Sequence, residues 1–284
     1  MTLALEQGSQ EWHEFRKNHI GSSDAPVIMG VSPWKTPYQL WEEKIGISHP
    51  IEANSYMQRG TNMEEEGRQS FELYSGIRVF PSVHLHDTCE WMSASVDGIS
   101  ADFNSVVEIK CPGASDHSIA QSGGIPPKYV PQLQHILAVT GLPMIYYWSY
   151  DGSQGVCVEV FRDDVYIEEM IQKEKEFWDC VQTLEAPELT DRDFTERSDD
   201  IWKAASSTYL EISKELKALE KKEKEAREYL ISLAGNQNTK GFGVRLTKYV
   251  RKGNVDYSAI PELQDIDLEK YRKKSSESWR ITNA

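Results

Sequence analysis

Residues 93–113, SASVDGISADFNSVVEIKCPG, restrict the fold of this chain more than any other stretch. Met92, Ala94 and Val96 alternate with Ser93, Ser95 and Asp97, the two-residue period of a β-strand. After a turn over 98–105, Val107 and Ile109 alternate with Val106, Glu108 and Lys110. Side chains two apart share a face, so Ser95 and Asp97 are expected on one side of their strand, and Glu108 and Lys110 together on one side of theirs. Folding the hairpin back lets the two polar rows meet. Val106, Val107, Ile109 and the following Cys111–Pro112 mark the second strand as interior. Two carboxylates at a strand crossing repel, and burying acid and base together is costly. A divalent cation between Asp97 and Glu108, with Lys110 beside a substrate or a water, resolves that conflict. The plain alternative is a solvated charged pair on a sheet face.

The flanking segments supply further candidates. Residues 9–20 predict a short helix with Trp12 and Arg16 one turn apart. Gly21–Ser22–Ser23–Asp24 opens another helical piece, where free N–H groups and the hydroxyls of Ser22 and Ser23 can gather an anion or simply cap the helix. Arg16 is then an anion ligand, or a surface salt bridge with Glu11. Thr36, Pro37 and Gln39 read as N-cap, N1 and N3 of a helix that stops at Gly46. Residues 55–76 predict a longer helix with Met63, Gly67, Phe71 and Tyr74 as its apolar stripe. Glu65 lies about 160° from the stripe centre and faces solvent, whereas Glu64 lies about 60° away. An acid bordering the buried side needs a partner such as a metal.

The segment 112–127, rich in Gly, Ser and Pro, reads as a mobile loop. It leads into a helix over 128–141 with Tyr129 and Gln132 one turn apart. Two strands joined by an Asp151–Gly152 turn and an amphipathic helix over about 163–184 follow. Helices interleaved with strand pairs over 1–190 imply an α/β (mixed α+β) domain with a central mixed β-sheet flanked by helices.

Residues 191–284 form a C-terminal extension of different character: a long amphipathic helix over about 200–234, a basic hairpin over about 239–253, and a tail. Tyr209, Ile212, Leu216, Leu219, Ala226, Leu230 and Leu233 follow 3-4 spacing broken by Glu223. The pattern suits a coiled-coil seam or one long helix packed on the body, and with only about three and a half heptads the packed helix is favoured. Lys240, Arg245, Lys248 and Arg251, with Phe242 and Tyr249 among them, either track a nucleic-acid backbone or form a solvated hairpin that answers the acidic body. The net charge of −14 excludes an overall nucleic-acid coat but not cations gathered in one channel. No apolar run approaches the ~18 residues of a membrane span. No secretory leader is visible, and four cysteines without a CxxC pair fit reduced thiols in the cytoplasm.

Asp97 followed by Glu108–Ile109–Lys110 resembles the D…(D/E)xK pattern of the PD-(D/E)XK nuclease superfamily. Four pieces in order, EQGSQEWHEFRKNHIGSSDA, QRGTNMEEEGRQSFELYSG, SASVDGISADFNSVVEIKCP and KYVPQLQHILAVTG, resemble the lambda-exonuclease family of YqaJ-type viral recombinases over about residues 6–150. The resemblance implies a restriction-endonuclease-like core and Mg²⁺, with Mn²⁺ able to substitute, held by Asp97, Glu108, the carbonyl of Ile109 and Glu64. It implies that Lys110 activates the attacking water. It places Arg16, Ser23 and Ser95 at the 5′-phosphate or scissile strand, and the helix of Tyr129 and Gln132 against the site. The implied activity is alkaline-exonuclease-type 5′→3′ digestion of linear double-stranded DNA, releasing mononucleotides and leaving 3′ single strands for phage-type recombination. A homotrimer ring, a single-strand-annealing recombinase partner and a bacterial host cytoplasm, if the gene is phage-borne, are implied as well. Alternatives are an endonuclease or repair nuclease on the same core, or a non-catalytic DNA-end-binding module. The extension beyond 190 has no counterpart in compact relatives.

Overall fold

A computed structural model describes residues 1–47, 55–253 and 260. Its elements begin with β1 (Thr2–Leu3), α1 (Gln10–Lys17), β2 (Ile20–Gly21), α2 (Ala25–Ile28), α3 (Pro37–Lys44), α4 (Ser55–Ser75), β3 (Val79–Leu85), β4 (Met92–Ser100) and β5 (Val106–Lys110). They continue with α5 (Ala114–Gln121), α6 (Val130–Thr140), β6 (Met144–Tyr150), β7 (Gly155–Phe161), α7 (Asp164–Thr183), α8 (Asp200–Ala234), β8 (Thr239–Gly241) and β9 (Val244–Leu246). The chain divides into two units, Met1–Glu196 and Arg197–Ala284.

Local chemistry sets the helix ends. Thr36 Oγ1 accepts from the Gln39 N–H (3.2 Å) while Gln39 Oε1 accepts from the Thr36 N–H (3.1 Å), so two otherwise free donors at the start of α3 are satisfied reciprocally. One expectation needs correction: the segment 112–127 is not a plain loop but contains α5. The glycines and prolines only delimit this helix. One buried face, His117 and Ala120, folds it onto the sheet, with His117 Nδ1 2.9 Å from Ser149 Oγ.

The first unit is built on a seven-stranded sheet in the order β1-β3-β4-β5-β6-β7, with β2 also beside β4. β5 runs parallel to β6 and β2 parallel to β4, and the other pairs are antiparallel, so the sheet is mixed. On one face, Met92, Ala94, Val96, Ile99 and Val106 pack against Leu133, Ile136 and Leu137 of α6 and against Met170 of α7. On the other, Val79, Val107, Ile109 and Trp148 pack against Phe71 of α4. β4 and β5 therefore run through the middle of a helix–sheet–helix sandwich, covered on both faces.

β4 is not regular. Between the pairs Phe80↔Ile99 and Ser82↔Val96, β3 advances two residues and β4 three, so Asp97–Gly98 carries an extra residue opposite Pro81. This bulge changes the phase of the strand, and Met92, Ala94, Val96 and Ile99 all enter one core cluster although the last is out of alternation. Gly98 makes the bulge possible: a Cβ there would lie 2.6 Å from Val79 Cγ2 and 2.9 Å from Val107 Cγ1.

In the second unit α8 contains no buried residue. The 3-4 stripe expected from the sequence is present on α8. β8 and β9 form the expected hairpin, although its ladder ends at Leu246 and leaves 248–253 outside it.

Gly98→Ala should destabilise the first unit by about 1–3 kcal/mol through overpacking between β3 and β5. Chemical denaturation measures this, and an alanine variant as stable as the parent would mean that the bulge has room to spare.

Candidate active site

The bulge lies where the sheet divides. β3 occupies one edge of β4 from Ser93 to Ser100. Along the other edge, β2 pairs only with Met92 and Ser93, and β5 only with Gly98 and Ile99. The stretch between them, with Ser95 and Asp97, is left open. Asp97 compensates with its side chain: Oδ2 accepts from the Ile109 N–H at 2.8 Å, replacing the ladder bond that the diverging strands no longer make. β5 continues alongside β6, with Glu108 level with Tyr147 and Lys110 with Ser149.

Glu108 is 1% exposed. Its Oε1 accepts from Lys110 Nζ at 2.5 Å and from Gln132 Nε2 at 2.6 Å, while Oε2 is buried with no hydrogen-bond partner. Burial and the facing Asp97 carboxylate push the Glu108 carboxyl up to about 8, against the pull of Lys110. Burial likewise raises Asp97, and burial with the Asp97 charge raises Glu64 on α4. For Lys110 burial acts downward, but Glu108 and Asp97 outweigh it and hold the ammonium charged above its ordinary range. The structure thus brings Asp97, Glu108, Lys110 and Gln132 together, with Glu64 close enough to act on the two other acids. Among the described residues no group of three or more His, Cys, Asp or Glu side chains is arranged to hold a metal ion, and Lys110 supplies the nearest positive charge.

An aromatic and basic path leads outward from this cluster. The Lys110 ammonium lies 5.7 Å from the Tyr129 ring centroid, and Tyr129 stacks at 6.5 Å on Trp34, which is 66% exposed. Lys128 lies over both rings, 4.9 Å from Trp34 and 5.3 Å from Tyr129, while bonding Asp116 at 2.6 Å. The loop of Trp34 is pinned from far along the chain: Arg192 donates to the carbonyls of Ser32 and Pro33, each at 2.9 Å. Trp34 did not stand out in the sequence, because nothing local links it to Tyr129, and Lys128, although it directly precedes Tyr129, gave no sign that it would lie over both rings.

The anion-binding expectation at 21–24 is altered. Ser23 is exposed and accepts from Arg16 Nη2 at 2.7 Å, but Ser22 is buried. The Gly21 N–H of this turn is already used, because it donates to Asp24 Oδ2 at 2.9 Å. Asp24 is held by Lys44 Nζ at 2.7 Å and by Arg16 at 3.5 Å. The other donors of Lys44 go to the carbonyls of Arg16 (2.8 Å) and His19 (2.6 Å), so this buried ammonium ties down the end of α1. Burial raises the Asp24 carboxyl, but Lys44 and Arg16 together overcome it and hold it at about 2. Arg16 lies 4.7 Å from the Trp12 ring, and Trp12 Nε1 donates to Ser95 Oγ at 2.8 Å, which links α1 to the open edge of β4. Arg16 is paired with Ser23 and Asp24 rather than with Glu11.

The position of α6 depends on a pair that sequence reasoning missed. His135 faces Glu174 Oε1 with Nδ1 and the Ser93 carbonyl with Nε2, both at 2.8 Å, and both side chains are fully buried. The Ser93 carbonyl can only accept, so Nε2 carries a proton, and the Glu174 carboxyl beside Nδ1 favours the charged ring. Glu174 correspondingly raises its pKa against the effect of burial. This clamp fixes α6 between β4 and α7, one turn from Gln132. In the second unit Lys240 lies directly opposite Arg245, Lys248 Nζ donates to Asn236 Oδ1 at 2.5 Å, and Arg251 lies 5.1 Å from the Tyr249 ring.

Residues 11–143 match the YqaJ-like viral recombinase domain family. The chain is 32% identical over 195 residues to the uncharacterized protein YqaJ of Bacillus subtilis, covering 65% of this chain and 60% of that relative. It is 27% identical over 164 residues to protein D345L of African swine fever virus, covering 48% of this chain and 46% of that one. The chain therefore spans less than two thirds of the length of the first relative and less than half of the second. Among solved structures it is similar to an alkaline exonuclease from Laribacter hongkongensis, with a TM-score of 0.55 and 26% identity over 62% of this chain and 94% of that one. The same exonuclease has been solved in complex with dAMP, with the same degree of similarity. No helix among the described residues is long and apolar enough to cross a membrane.

Asp24→Asn strips the buried Lys44 of its counter-charge and should cost about 3–5 kcal/mol at neutral pH. Because the Asp24 carboxyl is depressed to about 2, its contribution is full above the ordinary aspartate value of about 4 and is lost as the pH falls through the folded value. Denaturation of parent and variant across that window should show the difference closing, and a constant difference would remove the ion pair as its cause.

Proposed function

We propose that this chain, whose residues 11–143 match the YqaJ-like viral recombinase domain, is a DNA exonuclease of the alkaline-exonuclease type. It acts from the 5′ end of linear double-stranded DNA, releases mononucleotides and leaves 3′ single strands. One observation carries the reading. Glu108 has one oxygen fixed by Lys110 and Gln132 and the other buried without a partner, beside the half-buried Asp97 carboxylate. A structural ion pair has no need of the orphaned oxygen, whereas a metal-binding carboxylate does.

The chemistry of the donors suits a hard divalent cation, although among the described residues the side chains are not already grouped around one point. Glu64, Asp97 and Glu108 lie about one ammonium; burial raises all three carboxyls, and the Asp97 charge adds to it at Glu64 and Glu108. Oxygen donors of this kind take Mg²⁺ or Mn²⁺ in preference to zinc. Asp97, Glu108 and the Ile109 carbonyl would hold the ion, and Glu64 would complete the set from α4. When bound, the ion polarises the scissile phosphate and makes water a better nucleophile.

The remaining work falls to the chain itself. Lys110 is held charged, so it stabilises negative charge on the phosphate and orients water rather than accepting its proton. Gln132 and Tyr129 keep Glu108 and Lys110 in register from α6. Arg16 and Ser23 hold a terminal phosphate near the open edge of β4, and Trp34 offers a base a rigid stacking surface. The dAMP complex of the Laribacter exonuclease supports a nucleotide-sized site of this sort. The like-charged pair Lys240–Arg245, unfavourable in isolation, suits a hairpin that meets phosphates. From the family resemblance, the working form is a homotrimer ring that hands its product to a single-strand-annealing recombinase.

Labelled linear duplexes with 5′-phosphate or 5′-hydroxyl ends, and a closed circular duplex, test the reading with and without Mg²⁺. Nucleotides should appear from linear DNA only, only with the metal, and faster from the phosphorylated end. Asp97→Asn, Glu108→Gln and Lys110→Met should each lower the rate roughly 100-fold or more. Cleavage of the circle would indicate an endonuclease, and retained binding without nucleotide release a non-catalytic module.

A further inference from the structure

We propose that α8 pairs antiparallel with α8 of a second copy of this chain. The stripe from Tyr209 to Leu233 advances by 3, 4, 3, 4, 3, 4 and 3 residues, one unbroken heptad register in which Glu223 is the sole charged member. Tyr209, Ile212, Leu216, Leu219, Leu230 and Leu233 are between 41% and 65% exposed. Among the described residues this 35-residue helix has no buried side chain, so its seam is open to a partner helix.

The charges beside the seam choose the partner and its direction. Glu215 and Lys222 precede seam positions on one flank, and Glu220 and Arg227 follow seam positions on the other. In a parallel, in-register pair, residues five apart on these flanks meet. Glu215 would then face the partner's Glu220, and Lys222 the partner's Arg227, so every such contact is repulsive. In an antiparallel pair with Leu216 opposite the partner's Ala226 and Ile212 opposite the partner's Leu230, Glu215 meets the partner's Lys222 and Glu220 meets the partner's Arg227. Two-fold symmetry repeats both, giving four attractive contacts. Sliding by one heptad in one direction sets Glu215 and Glu220 against their own copies, and in the other direction Lys222 and Arg227. A single register therefore satisfies all four charges. The helix's own ion pair, Lys221 with Glu225 at 4.0 Å, lies on the outward face and uses none of them. Glu223 falls beside the partner's Leu219, a polar interruption that costs stability while helping to define register.

This contact is independent of the nuclease reading and adds a two-fold axis to whatever assembly the first unit makes, doubling its mass. Sedimentation equilibrium of the full chain tests it. Lys222→Glu with Arg227→Glu turns four attractive contacts repulsive and should weaken the doubling roughly 100-fold. Adding Glu215→Lys and Glu220→Lys to that variant should restore it, which a parallel pair would not do. All four positions are exposed, so circular dichroism should show unchanged helix content. Leu216→Asp with Leu219→Asp should abolish the doubling. Undiminished association in the charge-reversed double variant, or no recovery in the quadruple, overturns the antiparallel pairing, and an unaffected aspartate variant overturns the seam altogether.

Discussion

A carboxylate that is 1% exposed in the centre of a sheet has to be met by positive charge, and most of the first unit is arranged around how Glu108 meets it. Lys110, two residues along the same strand, reaches back to it from the same face. Gln132 approaches from the helix above, and Asp97 enters from the neighbouring strand because a bulge at Asp97–Gly98 opens the space between β4 and β5. Each of these has its own support in turn: Gly98 for the bulge, and the His135–Glu174 clamp for α6. Burial still leaves the carboxyls of Glu64, Asp97 and Glu108 raised, with the Asp97 charge adding to the effect at the other two.

Two further groups extend this arrangement in different directions. Around Asp24, a low-titrating acid and a fully bonded lysine fix the end of α1 and leave Arg16 with Ser23 at the surface. Around Tyr129, two lysines and an exposed tryptophan continue the positive charge outward. The first is polar and anchored from below, the second aromatic and anchored from the side. An acidic protein can thus present cations where they are needed without a basic surface overall.

Much of this was legible in the sequence. The alternation through 92–110 and the spacing of Asp97, Glu108 and Lys110 were sufficient to place an acid–base cluster on interior strands, and the capping box at Thr36–Gln39 located α3. The bulge was not legible, because alternation is clean on each side and the shift of phase is visible only when Ile99 is found in the same cluster as Val96. α5 was hidden by the Gly, Ser and Pro around it, which report on the ends of a segment and not on a buried face. Ser22 was misjudged since the polarity of a turn does not reveal which of its side chains points inward. Lys44, Lys128, Trp34 and His135 gain their roles from partners distant in sequence, and no local pattern encodes such partners. The heptads of α8 were visible, but whether anything covered them was not.

The grip of Arg192 on the backbone at Ser32 and Pro33 joins residues 160 and 159 apart. Closing so long a loop is slow compared with forming a helix or a hairpin. During synthesis the strands bearing Asp97 and Glu108 leave the ribosome well before Arg192, so the acid cluster can assemble first and the aromatic platform beside it last. A nascent or truncated chain ending short of Arg192 would keep the acids yet lack the strap that steadies Trp34, and ordering of that loop would report that the first unit is whole.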